Sequence, residues 1–77
     1  MNPNEIEALL AAALPGARIE VVDTTGTGDH FAAAVSAPQF AGKSMVQQHQ
    51  MVYRALGPRI QGSAAPIHAL SLKTSPL

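Results

Sequence analysis

The apolar residues near the start of the chain recur at the spacing of one face of a helix. They fall at i, i+3, i+4, i+7 and i+8, at the positions Ile6, Leu9, Leu10, Ala13 and Leu14. Asn4 is the predicted N-cap, because two glutamates follow it in the first turn, where the helix dipole favours negative charge. Pro15 and Gly16 end the predicted helix.

Two segments with the alternation of β-strands follow this helix. In the run ARIEVVDT, the apolar Ile19 and Val21 alternate with charged residues, which predicts a strand with one buried face. The next segment, TTGTGD at residues 24–29, has the composition of a turn. HFAAAVS at residues 30–36 is the second predicted strand, and the short turn makes the pair a hairpin.

A second helical pattern begins at Ser44 in the run SMVQQHQMVYRAL. Its apolar stripe holds Met45, His49, Val52 and Leu56, beside Tyr53. Gly57 and Pro58 end it, and the following PRIQG could form one more short turn of helix. After the linker GSAA, the stretch PIHALSLKT at residues 66–74 alternates as a third strand, with Leu70 and Leu72 on one face.

The order of these elements is α-β-β-α-(α)-β, in a single domain over residues 1–77. A crossover of about 30 residues that contains a helix joins the second and third strands, so these two strands are predicted to run parallel. We therefore expect an α+β fold, with a mixed three-stranded sheet and helices on one face.

Length and composition restrict the classes of function. A chain of 77 residues buries only about 60% of its unfolded surface, so a deep substrate cavity is not expected. The chain has no cysteine, no phosphate-loop or nucleophile-elbow motif and no convincing pair of carboxylates, so we expect that it is not an enzyme. No apolar run approaches the roughly 20 residues of a membrane span and no signal-peptide pattern is present, so a cytoplasmic protein with no membrane partner is expected.

Charge is distributed unevenly, although the net charge is zero. Residues 1–32 carry one arginine and five carboxylates, a net charge of −4, while residues 33–77 carry four cations and no carboxylate, a net charge of +4. Such asymmetry would suit a surface that meets an acidic partner or phosphates, and a chance split among ten charges is the alternative interpretation.

Three histidines are the candidates for metal chemistry. His49 lies on the apolar stripe of the second helix, where a hydrogen-bonded core or boundary histidine is expected. His30 opens the second strand and His68 opens the third. Two imidazoles at the ends of strands in one sheet could share a metal, although the pair needs further ligands, and ordinary half-exposed strand residues are the alternative.

Three segments resemble the BolA-like proteins. FAGKSMVQQHQMVYRAL at residues 40–56 is similar to the family's Gly-Lys-Ser, its helix with a central histidine, and its Val-Tyr and Ala-Leu pairs. IHALSLKT at residues 67–74 resembles the family's strand Ile/Val-His-Ala-Leu-Ser-Ile-Lys-Thr. HFAAAVSAPQF resembles its Ser/Thr-His-Phe strand and Val-Ser-x-x-Phe turn. The resemblance implies a class II KH-like fold, here shortened at the C-terminus, because relatives continue past Lys-Thr with a segment that contains a tryptophan.

The resemblance also implies an adaptor or regulator in iron–sulfur trafficking or in iron and redox regulation. BolA-like proteins partner monothiol glutaredoxins and share with them a [2Fe-2S] cluster, to which the glutaredoxin gives one cysteine and bound glutathione another thiolate. The implied ligands on the BolA side are the histidine of the third strand, here His68, and a Cys or His from the hairpin loop. The loop DTTGTGD holds neither residue. His30, which matches the Ser/Thr-His-Phe histidine, is therefore the histidine candidate, and Asp29 is an oxygen alternative. No cluster is expected on the chain alone.

A KH-like nucleic-acid-binding transcriptional regulator is the alternative function. The interpretation rests on the basic second half of the chain, with Lys43 near the start of the second helix, a favourable place for phosphate. Arg54 and Lys73 are the further candidate contacts with DNA, RNA or a protein partner. The neutral net charge argues against this nucleic-acid-binding function. So do Gln48 and Gln50, because the family often has arginines at these positions.

Overall fold

The computed structural model describes residues 2–60, residue 67 and residues 69–77. It contains two helices, α1 (Pro3–Ala13) and α2 (Met45–Leu56), and three strands, β1 (Arg18–Asp23), β2 (His30–Ala37) and β3 (Ala69–Pro76). Short 3₁₀ helices follow β2 and α2, at Pro38–Phe40 and Gly57–Arg59. The predicted GSAA linker lies outside the described residues, as does His68. None of the helices in the described ranges is long and apolar enough to cross a membrane.

The three strands form one mixed sheet in the order β1-β2-β3. β1 and β2 are antiparallel, with Val21 opposite Ala33, as the short hairpin loop requires. β2 and β3 are parallel, with Phe31 opposite Leu70, because the connection that carries α2 returns the chain to the same end of the sheet. The predicted α+β class and mixed three-stranded sheet are confirmed.

The helices cover one face of this sheet. Along the central strand β2, the side chains of Phe31, Ala33 and Val35 are buried, while that of Ala34 is exposed on the other face. The helices contribute the buried residues Ile6, Leu10, Leu14, Val52 and Leu56 to the same core. Because burial of one large aliphatic or aromatic side chain stabilises by about 1.5–3 kcal/mol, this layer holds the sheet and helices together. Among the described residues, no helix covers the opposite face of the sheet, which we call the open face.

The first helix begins two residues earlier than predicted. Its N-cap is Asn2, whose side-chain oxygen accepts a hydrogen bond from the backbone N–H of Glu5 at 3.0 Å, and not Asn4. Pro3 occupies the first helical position, where its missing N–H costs nothing and its fixed φ suits the helix. Proline at this position is the sequence signal that the choice of Asn4 overlooked.

The second helix begins at the predicted N-cap, Ser44, but buries a different face. Val52 and Leu56 are buried as predicted, whereas the side chain of Met45 is 57% exposed and that of Gln48 is only 5% exposed. Burial of Gln48 is compensated in part, because its Nε2 donates a hydrogen bond to the carbonyl oxygen of Lys43 at 3.0 Å. Within the described residues no partner is found for its buried Oε1. The predicted position of Met45 on the buried stripe is therefore wrong.

The two leucines of β3 give a stability prediction. Leu70 and Leu72 pack against the core as predicted, but they are only partly buried, because β3 is an edge strand. Leu70→Ala or Leu72→Ala should lower the free energy of unfolding by about 1–3 kcal/mol, less than the roughly 2–5 kcal/mol of fully buried leucines. Urea denaturation measures the loss. The matched control is Ser71→Ala on the open face, and an equal loss for Ser71→Ala would show that the buried face is misassigned.

Candidate functional site

The first residues of β2 and β3 meet at one corner of the sheet. His30 is opposite Ala69 in the parallel register, and the backbone N–H of Ala69 donates a hydrogen bond to the carbonyl oxygen of Asp29 at 3.2 Å. We call Asp29, His30 and Ala69 the strand-start corner. His68, the sequence-predicted metal ligand, is bonded to Ala69 in the chain and lies outside the described residues.

An imidazole and a carboxylate are in direct contact at this corner. His30 Nδ1 lies 2.8 Å from Asp29 Oδ1, and the two side chains are 40% and 41% exposed. The hydroxyl of Thr27 also donates a hydrogen bond to Asp29 Oδ1, so the carboxylate is held from two sides. A carboxylate bonded to one ring nitrogen fixes the orientation and tautomer of many metal-binding histidines. In this arrangement, a metal bound by His30 would be bound through Nε2.

The hairpin loop that leads into the corner is organised by Asp23. Its Oδ1 accepts hydrogen bonds from the backbone N–H groups of Thr25 at 3.2 Å and Gly26 at 2.9 Å. Its Oδ2 accepts a third from the N–H of Gly28 at 2.9 Å. Gly26 and Gly28 have φ values of +76° and +78°, which residues with a Cβ atom rarely adopt. This role of Asp23 was not predicted from the sequence, although an aspartate before a Gly-x-Gly turn is a known turn signal.

Asp23→Asn should therefore loosen the hairpin loop. An amide has one acceptor oxygen, and its NH₂ group would face an N–H donor where the carboxylate now accepts. We expect a loss of about 1–2 kcal/mol in the free energy of unfolding and faster hydrogen exchange at the Gly28 amide. Urea denaturation and exchange measured by NMR test this, with Glu7→Gln as the control. Equal stability of the two variants would contradict the assigned role of Asp23.

The described residues offer only part of a metal site. Across residues 2–60, 67 and 69–77, no three His, Cys, Asp or Glu side chains lie close enough together to hold a metal ion. Asp29 and His30 supply at most two donor groups, and stable sites for transition metals need about four. Any metal at the strand-start corner therefore requires further ligands from elsewhere.

The basic residues predicted to contact nucleic acid or a partner lie on two sides of the molecule. Lys43 and Arg54 border one depression along α2, together with Gln47 and Gln50. Lys73 lies in β3, opposite Ala34 of β2, and is exposed on the open face of the sheet. The fold therefore brings Lys43 and Arg54 together and separates Lys73 from them.

His49 lies on α2 and is not among the residues of the strand-start corner. It is partly buried, as predicted for a boundary histidine. Its Nε2 atom is buried, and no hydrogen-bond partner for it is found in the part of the chain that the structure describes. The prediction that this histidine is hydrogen-bonded is therefore wrong for Nε2.

Comparison with known proteins assigns the chain to a family. The family described as BolA-like protein matches residues 10–76. The protein RP812 of Rickettsia prowazekii is 32% identical over 74 residues, which are 96% of this chain and 92% of that protein. Protein BOLA2 of Arabidopsis thaliana is 37% identical over 74 residues, 95% of this chain and 75% of that protein. The structure of a bolA protein homologue from Coxiella burnetii superposes with a TM-score of 0.77 at 35% identity, over 99% of this chain and 91% of that one. This chain belongs to the BolA-like family.

Proposed function

We propose that this protein binds a monothiol glutaredoxin and co-ligates a [2Fe-2S] cluster shared with that partner and its glutathione. In this role it is an adaptor or regulator in iron–sulfur trafficking or in iron and redox regulation, and it acts by binding rather than by catalysis. His68 is the proposed ligand to one iron, and His30 is the candidate second ligand. Membership of the BolA-like family and the arrangement of the strand-start corner support the proposal.

The backbone pairing at the corner is the observation that carries the proposal. Ala69, the residue bonded to His68 in the chain, is the register partner of His30. Its N–H also donates to the carbonyl oxygen of Asp29, so β3 starts directly beside the Asp29–His30 pair. Ala69, which follows the proposed ligand His68 in the chain, is thus paired with His30, the candidate second ligand.

The donor groups of the chain suit one side of a shared site. The chain has no cysteine, and iron–sulfur clusters are held mainly by thiolates, so the thiolates must come from the glutaredoxin and glutathione. Imidazole supplied to one iron would raise the reduction potential of the cluster relative to all-thiolate ligation. Asp29 would keep the His30 ring oriented towards the shared site through its contact with Nδ1.

Mixing experiments test this function. The protein is titrated into a cluster-loaded monothiol glutaredoxin with glutathione, and visible circular dichroism and size-exclusion chromatography follow the mixture. We expect a heterodimer whose spectrum differs from that of the glutaredoxin homodimer. We also expect no stable cluster when iron and sulfide are added to this protein alone. A mixed spectrum equal to the sum of its parts, with no complex on the column, would refute the proposal.

Nucleic-acid binding is the less supported alternative. Lys73 lies on the open sheet face, away from the depression that Lys43 and Arg54 border. Ser44 Oγ already accepts the backbone N–H of Gln47 in the first turn of α2, so a phosphate would have to displace this cap. A titration with DNA and RNA at two salt concentrations distinguishes the functions. Tight binding of DNA or RNA that weakens steeply with rising salt would favour the nucleic-acid function over the glutaredoxin function.

A further inference from the structure

The outer edge of β1 offers backbone hydrogen-bonding groups. The N–H of Thr24 donates to the carbonyl oxygen of His30 at 3.0 Å. Because the direction of hydrogen bonding alternates along an antiparallel strand, the backbone groups of Ile19 and Val21 point away from β2. Among the described strands, β1 has β2 as its one neighbour, so this side of β1 faces no further strand. An edge of this kind can pair with a further strand.

The charges on β1 favour one particular partner strand. Arg18 and Glu20 are both exposed on the open face, two residues apart and of opposite sign. If β1 paired antiparallel with β1 of a second copy around a two-fold axis at Ile19, each Arg18 would lie opposite the Glu20 of the other copy. A two-fold axis at Arg18 would set the two Arg18 side chains opposite each other, and an axis at Glu20 would do the same for the two Glu20 side chains. An axis at Val21 or later in β1 would give neither Arg18 nor Glu20 an opposite charge on the partner strand. Opposite charges across a strand pair stabilise it and like charges destabilise it, so the pattern selects the axis at Ile19.

The other edge of the sheet lacks this complementarity. Lys73 is the only charged residue of β3, so a second copy of β3 would bring no opposite charge to it. Pro76, at the end of β3, has no N–H to donate to a neighbouring strand. A lysine and a proline on an edge strand are features that block pairing between sheets. Of the two edges, β1 is therefore the one suited to a second copy.

We infer that β1 pairs with β1 of a second copy of this chain, with Ile19 opposite Ile19, to join two sheets into one. The new ladder is short, because the N–H of Ala17 already donates to the carbonyl oxygen of Leu14 at 3.0 Å. The dimer is therefore weak and sensitive to the paired charges. Ile19 is opposite Val35, towards the end of β2, whereas the strand-start corner is at its beginning, so both corners stay accessible. The inference goes beyond the proposed function and does not depend on it.

Sedimentation equilibrium of the full chain at low salt, over protein concentrations up to about 1 mM, tests this pairing. The wild type should show a reversible monomer–dimer equilibrium. Arg18→Glu and Glu20→Arg should each weaken it about tenfold or more, because each change sets like charges opposite each other at both symmetric positions. A mixture of the two single variants should associate again, and so should the double variant Arg18→Glu/Glu20→Arg, because opposite charges then face each other.

Lys73→Glu is the matched control, since it reverses a charge on the same open face but on β3. It should leave the monomer–dimer equilibrium unchanged, and far-UV circular dichroism verifies that every variant is folded. The inference is overturned if the wild type stays monomeric throughout, if the single variants associate as tightly as the wild type, or if their mixture does not associate. A loss caused by Lys73→Glu alone would point to stacking of the open faces and would also overturn it.

Discussion

Phe31→Ala is expected to remove a large part of the stability of the fold. Phe31 is 2% exposed, lies on the central strand of the sheet and is one of the two phenylalanines of the chain, both of which are in the core. Replacing a buried phenylalanine by alanine costs about 3–5 kcal/mol, because apolar contacts are lost and a cavity is left. The free energy of unfolding of natural domains is only about 5–15 kcal/mol, and this is a short chain. Urea denaturation followed by circular dichroism measures the change.

The register partner of Phe31 provides the comparison for this prediction. Leu70 is opposite Phe31 on the same face, but on an edge strand where it is only partly buried. Leu70→Ala should therefore cost clearly less than Phe31→Ala. If Leu70→Ala lost more stability than Phe31→Ala, the centre of the core would lie at β3 and not at β2.

His68→Ala is expected to abolish the spectral change that we propose for the mixture with a cluster-loaded glutaredoxin. The expected reason is the loss of a nitrogen ligand to one iron, for which alanine has no substitute donor. His30→Ala should cause a partial loss if His30 is the second ligand. In that case Asp29→Asn should weaken cluster binding about 10–100-fold, as substitution of a residue hydrogen-bonded to a metal-binding histidine typically does. Visible circular dichroism of each mixture measures these effects.

His49→Ala is the control among the histidine variants. His49 is partly buried on α2, so its replacement should cost stability and leave the cluster spectrum unchanged. Thermal unfolding of each variant alone separates a lost ligand from a lost fold. If His68→Ala kept the wild-type mixed spectrum while His49→Ala lost it, the cluster would be bound through His49 of α2 and not through His68.

The pattern of the sequence was sufficient for the elements and for the topology. The helical spacing of Ile6, Leu10 and Leu14 predicted α1, and the length of the connection between the second and third strands predicted their parallel pairing. The buried face of α2 was harder to predict, because hydropathy alone favours Met45 over Gln48 at a buried position. The amide nitrogen of the buried Gln48 reaches a loop carbonyl, and this contact depends on the path of the loop before the helix.

The candidate site was predictable only at the level of single residues. His30 was identified as a candidate ligand and Asp29 as an oxygen alternative, but their direct contact was not predicted. That contact depends on the hairpin loop, which the Asp23 carboxylate holds through three backbone N–H groups. Side-chain to backbone bonds of this kind fix where a loop ends, and the alternation of apolar residues carries no information about them.

Pulsed EPR with isotope labelling tests shared ligation of the cluster most directly. This protein is produced with nitrogen-15 in its histidines only, mixed with an unlabelled cluster-loaded monothiol glutaredoxin and glutathione, and the cluster is then reduced. We predict nitrogen-15 hyperfine coupling of the strength of a directly bound imidazole. The coupling should disappear in the His68→Ala variant if His68 is the one histidine ligand, and in the double variant His30→Ala/His68→Ala if His30 is the second. A mixed complex that forms and shows no nitrogen-15 coupling would contradict the account, because the cluster would then be held without any histidine of this chain.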